Sequence, residues 1–201
     1  IREYICNFIM STLETNLIQP STGTSLTIGA SGDTITIPSG ATITNSGTAT
    51  GFGAMTPAFE ASLSGDQSIS NDTSTKITFN TEQFDTAGAY DNSSNYRFTP
   101  QTAGKYYVYC KVELYGGSTN SLEACFVQIK KNGSTLISSE HSAYPDNIMH
   151  KIFIYNAGVI DFNGSSDYVE AFAQGEGNQS NQTVKAANRT TLFGAYRVIG
   201  A

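Results

Sequence analysis

The residues Lys105–Leu114, reading KYYVYCKVEL, constrain the fold more than any other part of the chain. Val108, Cys110, Val112 and Leu114 fall on one side of a period-two pattern, and Tyr107, Tyr109, Lys111 and Glu113 fall on the other. Such alternation predicts a strand with one buried face. A shorter strand, Tyr96–Thr99, precedes it and ends at Pro100, which has no N–H to give a ladder. Ala103-Gly104 then supplies the backbone freedom to reverse direction. The second face of the long strand carries tyrosines among its charges, which points to a partner lying against it.

Composition agrees with a β protein. The chain has 201 residues, enough for one domain and an appendage. Eleven Tyr, eleven Phe and no Trp, with few helix formers, imply an all-β fold with many turns. A net charge of −6 argues against nucleic acid as a partner, because backbone binding needs clustered Lys and Arg. No apolar run approaches the roughly 20 residues of a membrane span, so membrane insertion is not expected. Cys110 and Cys125 both have apolar-face parity on neighbouring predicted strands and read as free, buried thiols. A disulfide between them is the alternative, with awkward geometry if the strands pair directly.

Residues 1–18 read as a terminal segment that cannot form a core alone and is ordered only by docking, with Met10-Ser11 resembling a natural start. Residues 19–53 differ in texture. Leu26 and Ile28, Ile35 and Ile37, and Ile43 recur between turns of Gly, Ser, Asp and Pro, at a spacing of roughly eight or nine residues that suggests a stacked β-repeat. One copy cannot offset its ordering entropy; several chains wound about one axis would bury Ile28, Ile35, Ile37 and Ile43 together. The competing reading is a flexible linker. Residues 54–57 form the junction to a head at 58–201. There the predicted strands are Ala58–Leu63, Lys76–Phe79, Tyr96–Phe98, Lys105–Leu114, Leu122–Lys130, Thr135–Ser142, Lys151–Tyr155, Asp167–Phe172 and Thr191–Val198. Asn132-Gly133 marks a tight hairpin, and the whole predicts a β-sandwich or jelly roll.

In order along the head come Ile77-Thr78-Phe79, Phe84-Asp85, Tyr90-Asp91, Phe98-Thr99-Pro100, Gly104-Lys105-Tyr106-Tyr107-Val108, Lys131-Asn132-Gly133, Asp167-Tyr168-Val169 and Thr191-Leu192-Phe193-Gly194-Ala195-Tyr196. This series resembles the C1q-like domain of the C1q and tumour-necrosis-factor superfamily. The resemblance implies a jelly-roll head that forms homotrimers. The head lacks a preceding collagen Gly-X-Y stem. Ser11–Gly53 instead is similar to the N-terminal part of bacteriophage fibre and virion proteins, of the marine phage kind. The expected molecule is therefore a trimeric viral fibre or spike on the virion surface. Its N-terminus would hold other virion proteins, and its head would contact a host-surface glycan or protein. A decoration or adaptor protein binding only virion proteins is one alternative. A secreted C1q-like ligand or lectin is another.

Sites follow from that reading. Tyr107, Tyr109 and Phe126 share the parity opposite the core residues of their strands and are expected at the trimer interface; a second half of an ordinary sandwich core is the alternative. The stretch Gly175–Arg189 reads as the longest loop, and Asn178, Gln179, Asn181, Lys185 and Arg189 are its candidate receptor contacts. His141 and His150 lie in no nucleophile or metal motif, so no catalysis, no cofactor and no resident metal are expected. Some C1q-like domains bind calcium through apical loops, for which Asp85, Asp91 and Asp161 would be the loop ligands; solvated turn carboxylates are the ordinary reading.

Overall fold

The computed structural model describes Ile18 and residues 22–47, 55–119, 121–143 and 149–198. The chain divides into two compact units, Ile1–Thr48 and Ala49–Ala201. The segment expected to anchor the chain lies outside the described residues except for Ile18, as does Ala54 of the junction.

In the first unit, residues 22–47 form neither strand nor helix within the single chain. Two hydrogen-bonded turns punctuate them. The Asp33 N–H donates to Ala30 O at 3.0 Å, and eight residues further on the Ala41 N–H donates to Pro38 O at 3.1 Å. Gly32 and Gly40 occupy the third turn position at φ 93 and 87, a conformation that glycine alone adopts freely. The spacing expected from the sequence is thus present as turns, whereas the expected strands are not formed by one chain. Ile28, Ile35, Ile37 and Ile43 are 62%, 60%, 47% and 59% exposed, so nothing among the described residues buries them.

The second unit is a sandwich of two antiparallel sheets. Its strands are β1 (Ala58–Ser62), β2 (Gln67–Ser70), β3 (Thr75–Lys76), β4 (Thr81–Asp85), β5 (Tyr90–Asp91), β6 (Arg97–Phe98), β7 (Gly104–Tyr115), β8 (Leu122–Lys131), β9 (Ser134–Ser142), β10 (Lys151–Phe162), β11 (Val169–Gly177), β12 (Asn181–Val184) and β13 (Leu192–Arg197). A single 3-10 turn at Ala187–Arg189 precedes the last strand. The first sheet runs β4-β1-β13-β7-β10, with β12 continuing alongside β7 beyond β13 and β2 outside β12. The second contains β5-β6-β11-β8-β9, with β3 also on β11.

The alternation in β7 is realised in full. Tyr106, Val108, Cys110, Val112 and Leu114 are completely buried. They face Cys125, Val127 and Ile129 of β8 across the sandwich, so β7 and β8 belong to opposite sheets and do not pair. Cys110 and Cys125 are therefore not on paired strands, and both are free and buried. Burial pushes the Cys125 thiol up to about 12 and Cys110 further still. An aromatic cluster fills one end of the core. Phe59 stacks on Tyr90 at 4.4 Å and on Phe98 at 4.6 Å between ring centres, and meets Phe193 edge-on at 5.1 Å.

Local chemistry sets the connections. Asn132 and Gly133 both have positive φ, 52 and 81, the pair a type I′ hairpin requires between β8 and β9. Asn156, 3% exposed, donates its amide to Val127 O at 2.9 Å and Ile137 O at 3.3 Å, tying β10 of one sheet to β8 and β9 of the other. Some strand bounds differ from the sequence reading. The strand expected at Lys76–Phe79 pairs only over Thr75–Lys76, after which Ile77 and Phe79 turn into the core. The strand expected at Lys151–Tyr155 continues to Phe162, because Gly158 leaves room for the Ile137 side chain.

Candidate functional site

Residues pointing away from the core give the two sheets different outer surfaces. On the second sheet, two lysines find partners close by. Lys76 Nζ lies 2.6 Å from Glu170 Oε1, and Lys130 Nζ sits 3.9 Å from the Phe172 ring centre. On the first sheet, the outward positions of β7, β10 and β13 carry aromatic side chains side by side. Tyr107 lies across from Val159 on one flank and Tyr196 on the other. Phe153 and Tyr155 are 53% and 55% exposed, Val159 is 59% exposed, and Phe84 on β4 is 47% exposed. A continuous apolar surface of this kind on a single copy marks an interaction site.

The tyrosines on this face hold one another in place. The Tyr107 and Tyr155 hydroxyls lie 2.9 Å apart, and the Tyr107 ring centre is 5.4 Å from that of Tyr196 and 6.1 Å from that of Tyr109. Burial and the Tyr107 bond push the Tyr155 phenol up to about 12. Tyr109 donates to Glu60 Oε2 at 2.8 Å, reaching it across Gly194, where a Cβ would strike its ring. Glu60 Oε1 is paired with Arg189.

The structure separates the sequence-predicted site residues into three groups. Tyr107 and Tyr109 lie on the aromatic face, outside the core, so they are not the second half of a sandwich interior. Phe126 is a correction. It lies on the outer surface of the second sheet between Gln174 and Glu140, away from both tyrosines, because equal parity on two strands does not put them in one sheet. The stretch Gly175–Arg189 is not a single loop either. It completes β11, forms β12 and ends in the 3-10 turn. Asn178, Gln179 and Asn181 lie at the end of the head remote from Ala58, where Asn178 N–H donates to Ser121 O. Lys185 is paired with Asp66 there and borders a cavity of about 200 Å3 with Glu113, Tyr115, His150 and Lys151. Arg189 belongs instead to the margin of the aromatic face.

The loop carboxylates do not fit a calcium site. Asp85 accepts from the Ala87 and Tyr90 N–H groups, and Asp161 pairs with Lys105 at 2.7 Å. Asp91 accepts from the N–H groups of Ser93, Ser94 and Asn95 and from the Asn95 amide. Each is committed to protein donors, and no group of three or more His, Cys, Asp or Glu among the described residues is arranged around a metal. The N–H groups of Ser94 and Ser93 and the Asn95 amide hold Asp91 well below the usual carboxylate range. A depressed native pKa adds stability that is present above the unfolded value of about 3.9 and is lost as pH falls through the native one. Asp91→Asn is therefore expected to lower the urea midpoint at neutral pH. Its deficit against the parent should shrink at about pH 3 and below; a pH-independent deficit would assign the loss to packing.

The strand order and the two-sheet core define a jelly-roll head of the type that TNF and C1q domains share. Among solved structures, Eiger TNF from S. frugiperda is similar with a TM-score of 0.54 at 13% identity, covering 72% of this chain and 92% of that one. Murine APRIL is similar with a TM-score of 0.52 at 11% identity, covering 70% and 98%. The globular domain of zebrafish complement 1qA gives 0.48 at 15% identity, covering 71% and 96%. No protein-family model and no curated protein sequence matches the chain.

Proposed function

We propose that the chain is the subunit of a homotrimeric viral fibre or spike of the bacteriophage kind. In this reading residues 1–18 anchor to other virion proteins, 19–53 form an intertwined shaft, and the jelly-roll head attaches to the host surface. The supporting observation is the aromatic face of β7, β10 and β13, which lacks a cover in the single chain. Association of three copies through it would remove the exposed parts of Phe153, Tyr155, Val159 and Tyr196 from water, at about 1 kcal/mol each. The exposed isoleucines at 28, 35, 37 and 43, set between regularly spaced turns, make the same demand for neighbouring chains. Function then follows from geometry without covalent chemistry: three heads on one stalk convert weak single contacts into firm attachment.

The mass of the whole chain by light scattering tests the assembly, and adsorption of particles carrying a head-truncated chain tests the attachment. Three chain masses and loss of adsorption are expected. A monomer removes the shaft and the avidity together. Intact adsorption with defective particles points to an adaptor that binds only virion proteins.

A further inference from the structure

A cavity of about 320 Å3 opens beside the β5–β6 hairpin, walled by Asp91, Asn95, Arg97, Thr99 and Gln101 and the backbone at Gly88. It sits at the end of the head where the chain comes in, since Phe98 neighbours Val169 and the β7 start lies opposite Phe162. Its volume falls at the low end of small-ligand pockets, about 300–1,000 Å3. That is room for one sugar ring rather than a chain.

The charge arrangement in this cavity is unusual. Asp91 and Arg97 are register partners, and opposite charges directly across two strands ordinarily attract. Here the Asp91 carboxylate turns into its own loop, where Ser93 and Ser94 N–H donate to one oxygen at 3.0 and 2.9 Å and the Asn95 amide to the other at 2.6 Å. Arg97 instead lies over Tyr168, with Cζ 4.5 Å from the ring centre. Among the described residues no carboxylate comes within ion-pair distance of it. A guanidinium held over a ring without a carboxylate partner keeps N–H donors for an incoming planar acid. Tyr96, at φ 51, reverses the chain between Asn95 and Arg97. Gln101 donates its amide to Thr99 O at 3.1 Å and Ser165 O at 3.3 Å, which fixes the group and leaves its oxygen to accept. Thr99 lines the same cavity.

A cation without a carboxylate partner, walled by the Asn95, Thr99 and Gln101 side chains and by an Asp91 carboxylate already bonded within its own loop, suits a small polyhydroxylated acid. We infer that this cavity is a subsite for a carboxylate-bearing sugar residue, such as a uronic acid unit of a surface polysaccharide. The carboxylate takes the edge of Arg97, and ring hydroxyls meet Thr99 and Gln101. The inference deepens the attachment reading and rests on it only for the source of the sugar.

Isothermal titration of the whole chain with methyl glucuronide, methyl glucoside and sodium acetate tests it. The uronide is expected to bind with a dissociation constant on the order of 1 mM, at least tenfold tighter than either control. Arg97→Gln should weaken it at least tenfold with an unchanged unfolding temperature. Arg97→Lys, which keeps the charge but loses the planar fork, should fall between, and Lys151→Ala at the remote cavity should bind like the parent. Acetate as tight as the uronide would reveal a plain anion site and overturn the sugar assignment. No uronide binding, equal binding of the glucoside, or full binding by Arg97→Gln also overturns the proposal. Uronide binding by the parent, combined with undiminished host adsorption by Arg97→Gln particles, upholds the cavity and counts against the attachment role.

Discussion

Phe59→Ala is expected to destabilise the head by about 3–5 kcal/mol, the range for removing a large aromatic from a packed core. The side chain is fully buried and touches three other rings, Tyr90, Phe98 and Phe193. These come from β5, β6 and β13, so one truncation loosens both sheets at once. In a domain of this size the loss corresponds to a fall in unfolding temperature of roughly 6–20 °C. Thermal unfolding at fixed protein concentration reads it, since association would otherwise shift the midpoint. A change below about 1 kcal/mol would mean that the ring cluster relaxes around the cavity, and the core would then be less rigidly packed than the stacking distances indicate.

Val159→Glu is expected to reduce the light-scattering mass from three chains to one while leaving the head folded. Val159 is 59% exposed and lies opposite Tyr107 on the aromatic face. In the single chain an exposed substitution of this kind alters stability by about 0.5 kcal/mol or less. In an assembled face it places an unpaired carboxylate among tyrosines, where desolvation costs several kcal/mol. A second substitution controls for the choice of face. Phe126→Glu lies on the outer surface of the other sheet and should leave the mass unchanged. A Val159→Glu chain that stays trimeric would assign the assembling contacts to residues 19–53 rather than to the aromatic face.

The two predictions depend on opposite sides of the same strands, and the sequence disclosed those sides unequally. Period-two alternation identified the inward residues of β7 and β8 correctly, and Asn132-Gly133 located the hairpin that joins β8 to β9. It could not say that β7 and β8 lie in different sheets, because Gly116–Ser121 is long enough either to turn back or to cross over. Phe126 was misplaced for that reason alone. β12 escaped notice because Asn181, Gln182 and Thr183 have no apolar alternation; the strand is held by pairing with β2 and the end of β7. The uronate-sized cavity was equally hidden. It depends on Asp91 preferring its own loop to Arg97 and on Tyr96 adopting a left-handed backbone, neither of which follows from residue spacing. The tyrosines of β7 were legible as a surface demanding a partner, yet Tyr155, Val159 and Tyr196, which complete that surface, join it only through strand register.

Ala58, where β1 begins, lies opposite Tyr196 near the end of β13, so the polypeptide comes into and leaves the sandwich on one side. Entry and exit on one side leave the remote end of the sandwich to segments that connect its own strands. Segments such as Gly116–Ser121 and Asn178–Ser180 can therefore lengthen, shorten or change sequence without disturbing the route of the chain. The whole sandwich is likewise contiguous in the chain: a recombination point just before Ala58 would exchange it as one cassette.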